Sequence, residues 1–503
     1  MAPDQQQRGE DESRAETDGS SLRDRYVERR RFLMAAGSLA GVGVLAGCGG
    51  GGGTDTDGSP TGTDTDMPPS TPEPTEEPTE EPTEEPTEEP PDEPEQPSLE
   101  ERYPGLRILS PEPENAEAAS RETYTDYINP REEHYIRNHY PTPSIEEAEW
   151  SVSLTGLDEE ISLTMEQIKH DFATDSVTHT MQCAGNGRSY FEPQVGGNQW
   201  TFGAVGNTVW TGTPLSAILD AYDVDTSSGF LSVMGGEHPE GEDVFTRSIP
   251  MEKVMEDTML AYEMNGSPVS PDHGFPVRLL VPGWFGCNNV KWVNRMHVMD
   301  TMVIGTDWEE EGAPEDGQRT YTHWQQYSYR IIPEEDDRAT HYEDIPVYDT
   351  REQMERTDEI DNAYMYDQVE KSLIGYPEEG ATVSPSPAGT IEVIGVAWAG
   401  DDAVETVEVS ADGGESWNEA EFFGPVDSPN GWRLFRYVWE DPGTGEQTLH
   451  SRATDERGYT QPATIAAQED QLRGIENDQY PWDQGGYGNN AYVPHGVTFT
   501  VEE

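Results

Sequence analysis

Basic residues are scarce in this chain. Its 503 residues include 30 lysines and arginines against 100 aspartates and glutamates, which gives a formal net charge of −70 at pH 7. Only four of the basic residues are lysines. This charge excludes a protein that binds nucleic acid, because the phosphate backbone would repel it. It also argues against docking on anionic lipid through a basic patch.

The acidic excess is spread along the chain and does not form a single tail. Residues 100–503 contain 76 of the acidic residues and 23 of the basic ones, a net charge of −53. A chain with this charge repels itself in dilute buffer and is screened in concentrated salt. We therefore predict a halophilic protein, adapted to a high-salt environment.

Long apolar runs are also lacking, except near the N-terminus. Residues 29–48 join a basic stretch to an apolar run too short to span a bilayer as a stable helix. The arginines that open it resemble a twin-arginine export signal, and Leu45–Cys48 resembles a lipobox, in which Cys48 becomes lipidated. The alternative is a buried apolar helix, which the glycines that follow disfavour. The segment predicts an exported protein, held by lipid at the outer face of the cell membrane.

The rest of the chain divides by composition. Residues 49–99 are largely Thr, Pro, Asp and Glu, with four copies of Pro-Thr-Glu-Glu, and cannot bury an apolar core. The central part mixes short strands with helices such as Leu215–Ala221 and Met251–Met255, which predicts an α+β domain. The predicted parts are a signal segment (1–48), a disordered tether (49–99), an α+β domain (100–384) and an all-β domain (385–503).

The predicted all-β domain shows period-two alternation of apolar and polar residues. Turn sequences such as Asp412-Gly413-Gly414 and Asp441-Pro442-Gly443 separate the alternating stretches. Short strands at this spacing are typical of an immunoglobulin-like sandwich. The predicted strands are Ile391–Ala399, Val404–Ser410, Trp432–Trp439 and Gln447–Thr454.

Cysteines are few as well. With Cys48 assigned to lipid, Cys183 and Cys287 remain. One structural disulfide between them is compatible with export, but the domain is large enough to fold on its apolar core without it.

Cys183 lies in a loop rich in small residues. The alternation in Asp175–Gln182 predicts a strand that ends at this loop, which continues to Arg188. A cysteine beside an arginine can be a thiolate, and a soft thiolate suits a transition metal, although a single cysteine cannot make a zinc site. Taken alone, the position is better explained by a buried structural cysteine.

Three further segments carry candidate binding residues. They are Tyr135–Pro141, Asp272–Trp292 and Tyr321–Arg330. In the second of these, glycines allow backbone N–H groups to approach an anion, and Arg278 and Lys291 supply charge for a phosphate. Each segment on its own is better explained as an aromatic part of the core.

Together these segments resemble the sulfite oxidase family of molybdenum enzymes over residues 125–503. The Cys183 loop and the Asp272–Trp292 stretch carry most of the likeness, and residues 261–266 also match. The resemblance implies one molybdopterin with one molybdenum, to which Cys183 is the thiolate ligand. The residues it implies to be catalytic are Tyr329, Arg137 and Arg188, and those it implies to bind the cofactor are Tyr135, Arg137, Asn138, His139, Glu237, His273, Arg278, Asn289, Val290 and Lys291.

The reaction implied by the resemblance is oxidation of sulfite to sulfate by oxygen-atom transfer. Sulfite is a compact dianion, for which two guanidiniums, Arg137 and Arg188, make a fitting pocket. The expected electron acceptor is a separate cytochrome or small copper protein, and no haem is expected in this chain. The C-terminal domain is expected to pack on the molybdenum domain and to offer a homodimer interface.

Some positions depart from the family pattern. Gly187 stands where the loop commonly has an arginine, and Ser328 replaces an acid before the tyrosine. A C-terminal arginine position is taken by Gln484 or by Arg473, depending on the alignment. These departures leave open a reductase of the same fold that acts on sulfoxides or another oxo-substrate. A non-catalytic surface lipoprotein that binds a partner is a more remote alternative.

Overall fold

The computed structural model describes residues 97–227, 229–237, 244–302, 329–331, 347–360 and 363–502. The predicted signal segment and nearly all of the predicted tether lie outside these ranges. So do residues 321–328 of the candidate segment Tyr321–Arg330. Across the described ranges, no helix is both long enough and apolar enough to cross a membrane. Export and lipid anchoring stay predictions.

Helices are short in the described part of the chain, and capping explains where two of them begin. The Thr164 hydroxyl accepts the backbone N–H of Gln167, whose side chain accepts the N–H of Thr164 in return. Ser98 and Glu101 form the same capping box at the first helix. That helix begins at residue 99, the last residue of the predicted tether. The helices are α1 (Leu99–Arg102), α2 (Met165–His170), α3 (Leu215–Ala221), α4 (Met251–Glu256) and α5 (Thr350–Glu355).

The N-terminal domain is built on two five-stranded sheets and smaller ones. Its strands are β1 (Leu106–Pro111), β2 (Glu114–Ala118), β3 (Ile136–Arg137), β4 (Ser151–Thr155), β5 (Ile161–Thr164), β6 (Asp175–Gln182), β7 (Val205–Pro214), β8 (Phe230–Gly235), β9 (Thr246–Pro250), β10 (Met259–Met264), β11 (Ser267–Pro268), β12 (Arg278–Leu280), β13 (Val293–Met299), β14 (Arg330–Ile331) and β15 (Ala363–Tyr364). The first large sheet has the order β11-β10-β7-β6, with β12 also paired to β10, and the second has the order β5-β4-β13-β8-β9.

Helices α2, α3 and α4 share one apolar core with the strands of these sheets. The spacing of Leu215, Ile218 and Leu219 places them on one face of α3, and all three are fully buried. Met251 and Val254 of α4 join the same core. The two helices predicted from the sequence are therefore confirmed, and with them the α+β class of this domain.

The C-terminal domain is a sandwich of two sheets. Its strands are β16 (Lys371–Tyr376), β17 (Thr382–Val383), β18 (Thr390–Trp398), β19 (Val404–Ser410), β20 (Asn418–Glu419), β21 (Glu421–Phe423), β22 (Arg433–Glu440), β23 (Gly445–Asp455), β24 (Thr464–Ile465), β25 (Gln479–Tyr480) and β26 (Val497–Val501). One sheet has the order β16-β18-β22-β21 and the other β17-β26-β23-β19-β20. Val393 and Phe435 of the first sheet meet Val407 and Leu449 of the second in a common core.

The four strands predicted for this domain are confirmed as β18, β19, β22 and β23, with ends shifted by no more than two residues. The alternation is reliable here because each strand has one face in the core between the sheets. Strand β16 precedes the division predicted at residue 385 and already pairs with β18. The sheets of the sandwich thus include residues from 371 onward.

Candidate active site

The Cys183 loop follows β6, which the structure places at the predicted residues. The backbone N–H of Cys183 donates to the carbonyl of Ala204 at 2.9 Å, which extends the pairing of β6 with β7 by one residue. The N–H of Gly185 points back at the Cys183 sulfur, with N and Sγ 3.3 Å apart. This cysteine is 2% exposed and belongs to an apolar cluster with Trp200. The sulfur is thus buried at the end of β6, with a backbone donor directed at it.

Cys287 does not take part in the disulfide that the sequence left open. Its thiol is free and buried, and burial raises the pKa of this thiol to about 12. A Cys183–Cys287 bridge is therefore absent from the fold, which relies on its apolar cores instead.

The space that an arginine side chain would need at position 187 is occupied by the C-terminal domain. Gly187 has a φ of +92°, and a Cβ there would lie 2.9 Å from the side-chain nitrogen of Asn489. That nitrogen donates to the carbonyl of Gly187 at 3.0 Å, and the N–H of Gly488 donates to the carbonyl of Ala184 at 2.7 Å. The stretch 482–492, a single segment of the C-terminal domain, covers the Cys183 loop.

Arg188 is held in place by two carbonyls. Its Nε donates to Gly485 at 2.8 Å and one terminal nitrogen donates to Asn198 at 3.2 Å. Its guanidinium carbon lies 5.0 Å from the ring centre of Tyr487. The ring of Tyr487 in turn lies 5.0 Å from that of Tyr329. This chain of contacts joins two of the predicted catalytic residues.

The hydroxyl of Tyr329 is buried and has no hydrogen-bond partner among the described residues. Burial raises the pKa of Tyr329, an effect that the positive charges of Arg137 and Arg247 only partly oppose. The phenol is therefore protonated at neutral pH, with its hydrogen still available to a bound molecule.

Arg137 lies on β3, where Asn115 of β2 orients it. The side-chain oxygen of Asn115 accepts a terminal N–H of Arg137 at 3.1 Å and the backbone N–H of Asn138 at 3.2 Å. The pKa of Arg137 is lowered to about 10, chiefly by burial; Tyr329 opposes this effect and the charge of Arg188 adds to it. The two guanidiniums thus influence each other electrostatically.

A small cavity adjoins this cluster. Five of the predicted site residues line it: Arg137, His139, Glu237, Asn289 and Lys291. They come from β3, from the end of β8 and from the loop between β12 and β13, which are far apart in sequence. The fold thus brings together the segments Tyr135–Pro141 and Asp272–Trp292, as the resemblance implied for one cofactor.

Lys291 is the most constrained cation of this cavity. Its ammonium group donates to the carbonyl of Asp272 at 2.8 Å and to the side-chain oxygen of Asn138. Burial lowers the pKa of Lys291 well below its ordinary value. In the described part of the chain no carboxylate forms an ion pair with it, so an anion in the cavity would be its natural partner.

Arg278 and His273 lie beside Lys291. Arg278 donates to the carbonyls of His273 and Asn289, both at 2.8 Å, while its Nε is buried and without a partner among the described residues. Burial lowers the pKa of Arg278 to about 9. His273 accepts at Nδ1 from Ser270 at 2.6 Å, because its Nε2 must donate to the carbonyl of Tyr135 at 3.3 Å. Burial also keeps this imidazole neutral by lowering its pKa well below the usual range.

Three other predicted residues contribute differently. Glu237 faces the cavity with an unpartnered carboxylate oxygen, and desolvation raises the pKa of this carboxyl to about 7. The side chains of Tyr135 and Val290 lie in two apolar cores. Their backbone carbonyls accept hydrogen bonds, from His273 and from the N–H of Leu279 respectively.

The two candidates for the C-terminal arginine position lie in different surroundings. Gln484 directly precedes Gly485, the carbonyl partner of Arg188, and its side-chain nitrogen is buried without a partner in the described structure. Arg473 directly precedes Gly474, which packs against the end of α5. The geometry favours Gln484 as the residue that belongs to the site.

Two buried residues beside the site were not singled out from the sequence. Tyr487 stands in a stretch of glycines and asparagines that looks like a surface loop, and Arg247 is the one charged residue of β9. Neither has a local signal, since their positions depend on contacts with distant segments. Only the ambiguous match of residues 482–492 pointed toward Tyr487.

Comparison with known proteins shows which family has this arrangement of domains. Residues 139–306 match the oxidoreductase molybdopterin binding domain and residues 362–481 match the Mo-co oxidoreductase dimerisation domain. Chicken (Gallus gallus) sulfite oxidase is 30% identical over 384 residues, which cover 73% of this chain and 74% of that protein. The chain belongs to the sulfite oxidase family. Its predicted class, a molybdopterin-dependent oxidoreductase, is confirmed.

Three further proteins are similar to this chain over different shares of their length. Mouse (Mus musculus) mitochondrial sulfite oxidase is 30% identical over 386 residues, 73% of this chain, and the match spans about 63% of the mouse protein. Inducible nitrate reductase [NADH] 2 of Glycine max is 30% identical over 72% of this chain and 40% of its own length. The sulfane dehydrogenase SoxCD from Paracoccus pantotrophus superposes with a TM-score of 0.58 at 26% identity, covering 81% of this chain and 93% of that one.

The residues present fit the molybdopterin cofactor of the family. An anionic phosphate is best bound by buried cationic donors that are not already paired with a carboxylate. Among the described residues, Lys291 and Arg278 meet that requirement. The cavity beside them is lined by Arg137. The positive charge of Arg188, in the Cys183 loop, acts on the guanidinium of Arg137. The predicted cofactor, molybdopterin with molybdenum, agrees with both the family and the site.

Proposed function

We propose that this protein oxidises sulfite to sulfate and passes the electrons to a separate acceptor. The observation that supports this most is the grouping of Arg137, Arg188 and the Tyr329 hydroxyl, all buried and electrostatically coupled. Sulfite carries two negative charges on a small volume, so adjacent guanidiniums compensate its desolvation. Because the chain spans only about 63% of the mouse relative, its activity is inferred from the site itself.

The side chains have separate roles in this proposal. Arg137 and Arg188 bind and orient the oxyanion, and their fixed carbonyl and amide partners hold them in place before the substrate arrives. Tyr329 is protonated and donates its hydrogen to an oxygen of the anion. Covering of the loop by residues 482–492 excludes water and strengthens each of these interactions.

The cofactor has its own set of contacts in the proposal. Lys291, Arg278 and Asn289 would hold its anionic end, His273 and His139 would line the pterin, and Cys183 would ligate the metal. The molybdenum group supplies the oxygen atom that is transferred and takes up two electrons. The protein contributes the position of the substrate and the charge that retains it.

We further infer the setting in which the enzyme works. The twin-arginine and lipobox patterns support export and a lipid on Cys48, and the net charge of −53 over residues 100–503 supports a halophilic protein. The match of residues 362–481 to a dimerisation domain supports a homodimer. A cytochrome or a small copper protein would serve as the external acceptor, and nucleic acid is not a proposed partner.

A reductase of the same family is the second candidate. Gly187 and Gln484 leave the substrate pocket with fewer cations than the family pattern has, and the family includes a nitrate reductase. A reductase would bind an oxo-substrate, such as a sulfoxide, that carries less charge than sulfite.

The proposal is tested with purified protein in high salt. Molybdenum is measured per chain, and sulfite-dependent reduction of an artificial electron acceptor is then followed. We expect close to one molybdenum per chain and turnover with sulfite. Purified protein without molybdenum would contradict the proposal that the chain is a molybdenum enzyme. Bound molybdenum without sulfite turnover would favour the reductase.

A further inference from the structure

Arg247 is a buried arginine that neither the sequence segments nor the proposed roles account for. It stands on β9, where it pairs with Val233 of β8, and its side chain has no exposed surface. An arginine inside a sheet must find partners for five N–H groups or lose hydration without compensation.

The partners of Arg247 account for only part of its guanidinium. Its Nε donates to the carbonyl of Cys287 and a terminal nitrogen donates to the carbonyl of Thr246, both at 2.6 Å. The other terminal nitrogen is buried and has no hydrogen-bond partner among the residues that the structure describes. In the described structure no carboxylate forms an ion pair with this arginine. The guanidinium is thus fixed on one side, with an unused charged donor on the other.

The surroundings of Arg247 lead to the candidate active site. Its guanidinium carbon lies 4.1 Å from the ring centre of Phe245, a residue that lines the same cavity as Arg137. It lies 5.1 Å from the ring centre of Tyr329. Both Arg137 and Arg247 act on the buried phenols of Tyr329 and Tyr487. The two arginines therefore flank the same aromatic pair from different strands.

We propose that Arg247 is a third anion-binding residue of this site, which holds the substrate oxyanion together with Arg137 beside Tyr329. Gly187 and Gln484 add no charge to the pocket, and Arg247 supplies one from β9. The unused terminal nitrogen would donate to a substrate oxygen. This inference rests on the proposed oxyanion chemistry, but it concerns anion binding and can be measured apart from turnover.

The opposing explanation is that Arg247 only fastens the Cys287 segment to β9 through its Nε. A purely structural arginine would affect folding or cofactor content and leave the affinity for anions unchanged. The test therefore needs readouts of binding as well as activity. Arg433 provides a matched control, because its guanidinium carbon lies 4.4 Å from the ring centre of Phe422 in the sandwich domain.

The experiment uses the molybdenum-loaded protein and sulfate as the probe. Arg247→Met and Arg247→Lys are compared with Arg433→Met and Arg433→Lys for sulfate affinity by calorimetry, KM and kcat for sulfite, molybdenum content and thermal unfolding. We expect Arg247→Met to weaken sulfate and to raise KM at least tenfold with molybdenum content retained, and Arg247→Lys to recover part of the loss. The Arg433 variants should match the wild type.

Several outcomes would overturn the proposal. Unchanged sulfate affinity in a folded, molybdenum-loaded Arg247→Met protein would do so, and so would a loss of molybdenum with unchanged KM in the loaded fraction. If the Met variant does not fold, a structure of the wild type with sulfate decides, since sulfate bound without contact to Arg247 contradicts the assignment. A wild type that binds sulfate through Arg247 but does not turn over sulfite would refute the proposed function alone.

Discussion

Two of the four lysines are equally buried but have opposite electrostatic surroundings. Lys253 is 7% exposed, and its ammonium donates to Asp401 at 2.9 Å and to Asp257 at 3.1 Å. Lys291 is 6% exposed and donates to uncharged oxygens. Burial alone would lower both pKa values, but Asp257 and Asp401 outweigh it at Lys253 and raise that pKa. Burial is therefore not what distinguishes them.

The same contrast separates two regions of the molecule. Lys253 lines a cavity of about 520 Å³ between the domains, the acidic cleft, whose residues include Asp257, Asp349, Asp401, Asp402 and Arg457. Within it Arg457 pairs with Asp349, and with Asp402 at 3.0 Å. At the candidate active site, Arg137, Arg247 and Arg278 have carbonyl or amide partners.

This difference shows how to recognise a binding site in a chain covered by acidic residues. A buried cation that is paired is neutralised already and contributes to structure. A buried cation with only uncharged partners costs free energy until an anion binds. In a protein of net charge −70, such a cation indicates an anion site where it also lines a cavity, as Lys291 does. Lys371 is buried and donates to the carbonyl of Asn489 but is not among the residues that line this cavity.

The comparison is tested first by the largest expected effect, at Cys183. Cys183→Ser should reduce turnover below detection, because the hydroxyl is a poor substitute for a thiolate ligand, while the fold survives. Cys287→Ser is the control, since that thiol is free and does not line the site cavity. Full turnover in Cys183→Ser would contradict the ligand assignment.

The second prediction compares two buried phenols whose hydroxyls lack partners among the described residues. Tyr329→Phe should lower kcat about 100-fold, the usual effect of losing one donor to a reacting oxyanion, with little change in stability. Tyr366 packs on Trp284, which lines the acidic cleft, and Tyr366→Phe should leave kcat unchanged. Equal kcat values for the two variants would contradict the claim that Tyr329, and not Tyr366, belongs to the active site.

The smallest expected effect concerns pH and the acidic cleft. Burial raises the pKa of Asp402 to about 7, so the folded protein binds a proton there that the unfolded chain has released. This contribution to the free energy of unfolding is present near pH 4 and is lost as pH rises toward 7. Asp402→Asn should flatten that part of the stability profile, measured by denaturant unfolding at several pH values. Parallel profiles for variant and wild type would contradict the assignment.

Sequence patterns predicted those helices and strands in which the spacing of apolar side chains matches the period of the element. Strand β6, helix α3 and the strands of the sandwich were found because each has one face in a core. The resemblance also placed Arg137, Lys291 and Asn289 in one cavity, although which of them contact the cofactor stays a prediction.

Contacts between distant segments could not be predicted in the same way. Asn489 donates a hydrogen bond to Gly187, although the two residues are 302 positions apart in the sequence. No local sequence pattern predicts this contact. Arg247 interrupts a strand whose other members are uncharged, which on its own suggests an edge position facing water. Its burial follows from the packing of β9 against the segment of Cys287, a tertiary contact.

The most direct test of the account compares the two lysines. Molybdenum per chain and the free energy of unfolding are measured for Lys291→Met and Lys253→Met. Lys291→Met should bind the cofactor about tenfold or more weakly without loss of stability, because a charge-assisted bond to its anion is lost. Lys253→Met should retain molybdenum but lose about 3 kcal/mol of stability, as expected when one partner of a buried ion pair is removed. Normal molybdenum content in Lys291→Met would contradict the claim that unpaired buried cations hold the cofactor.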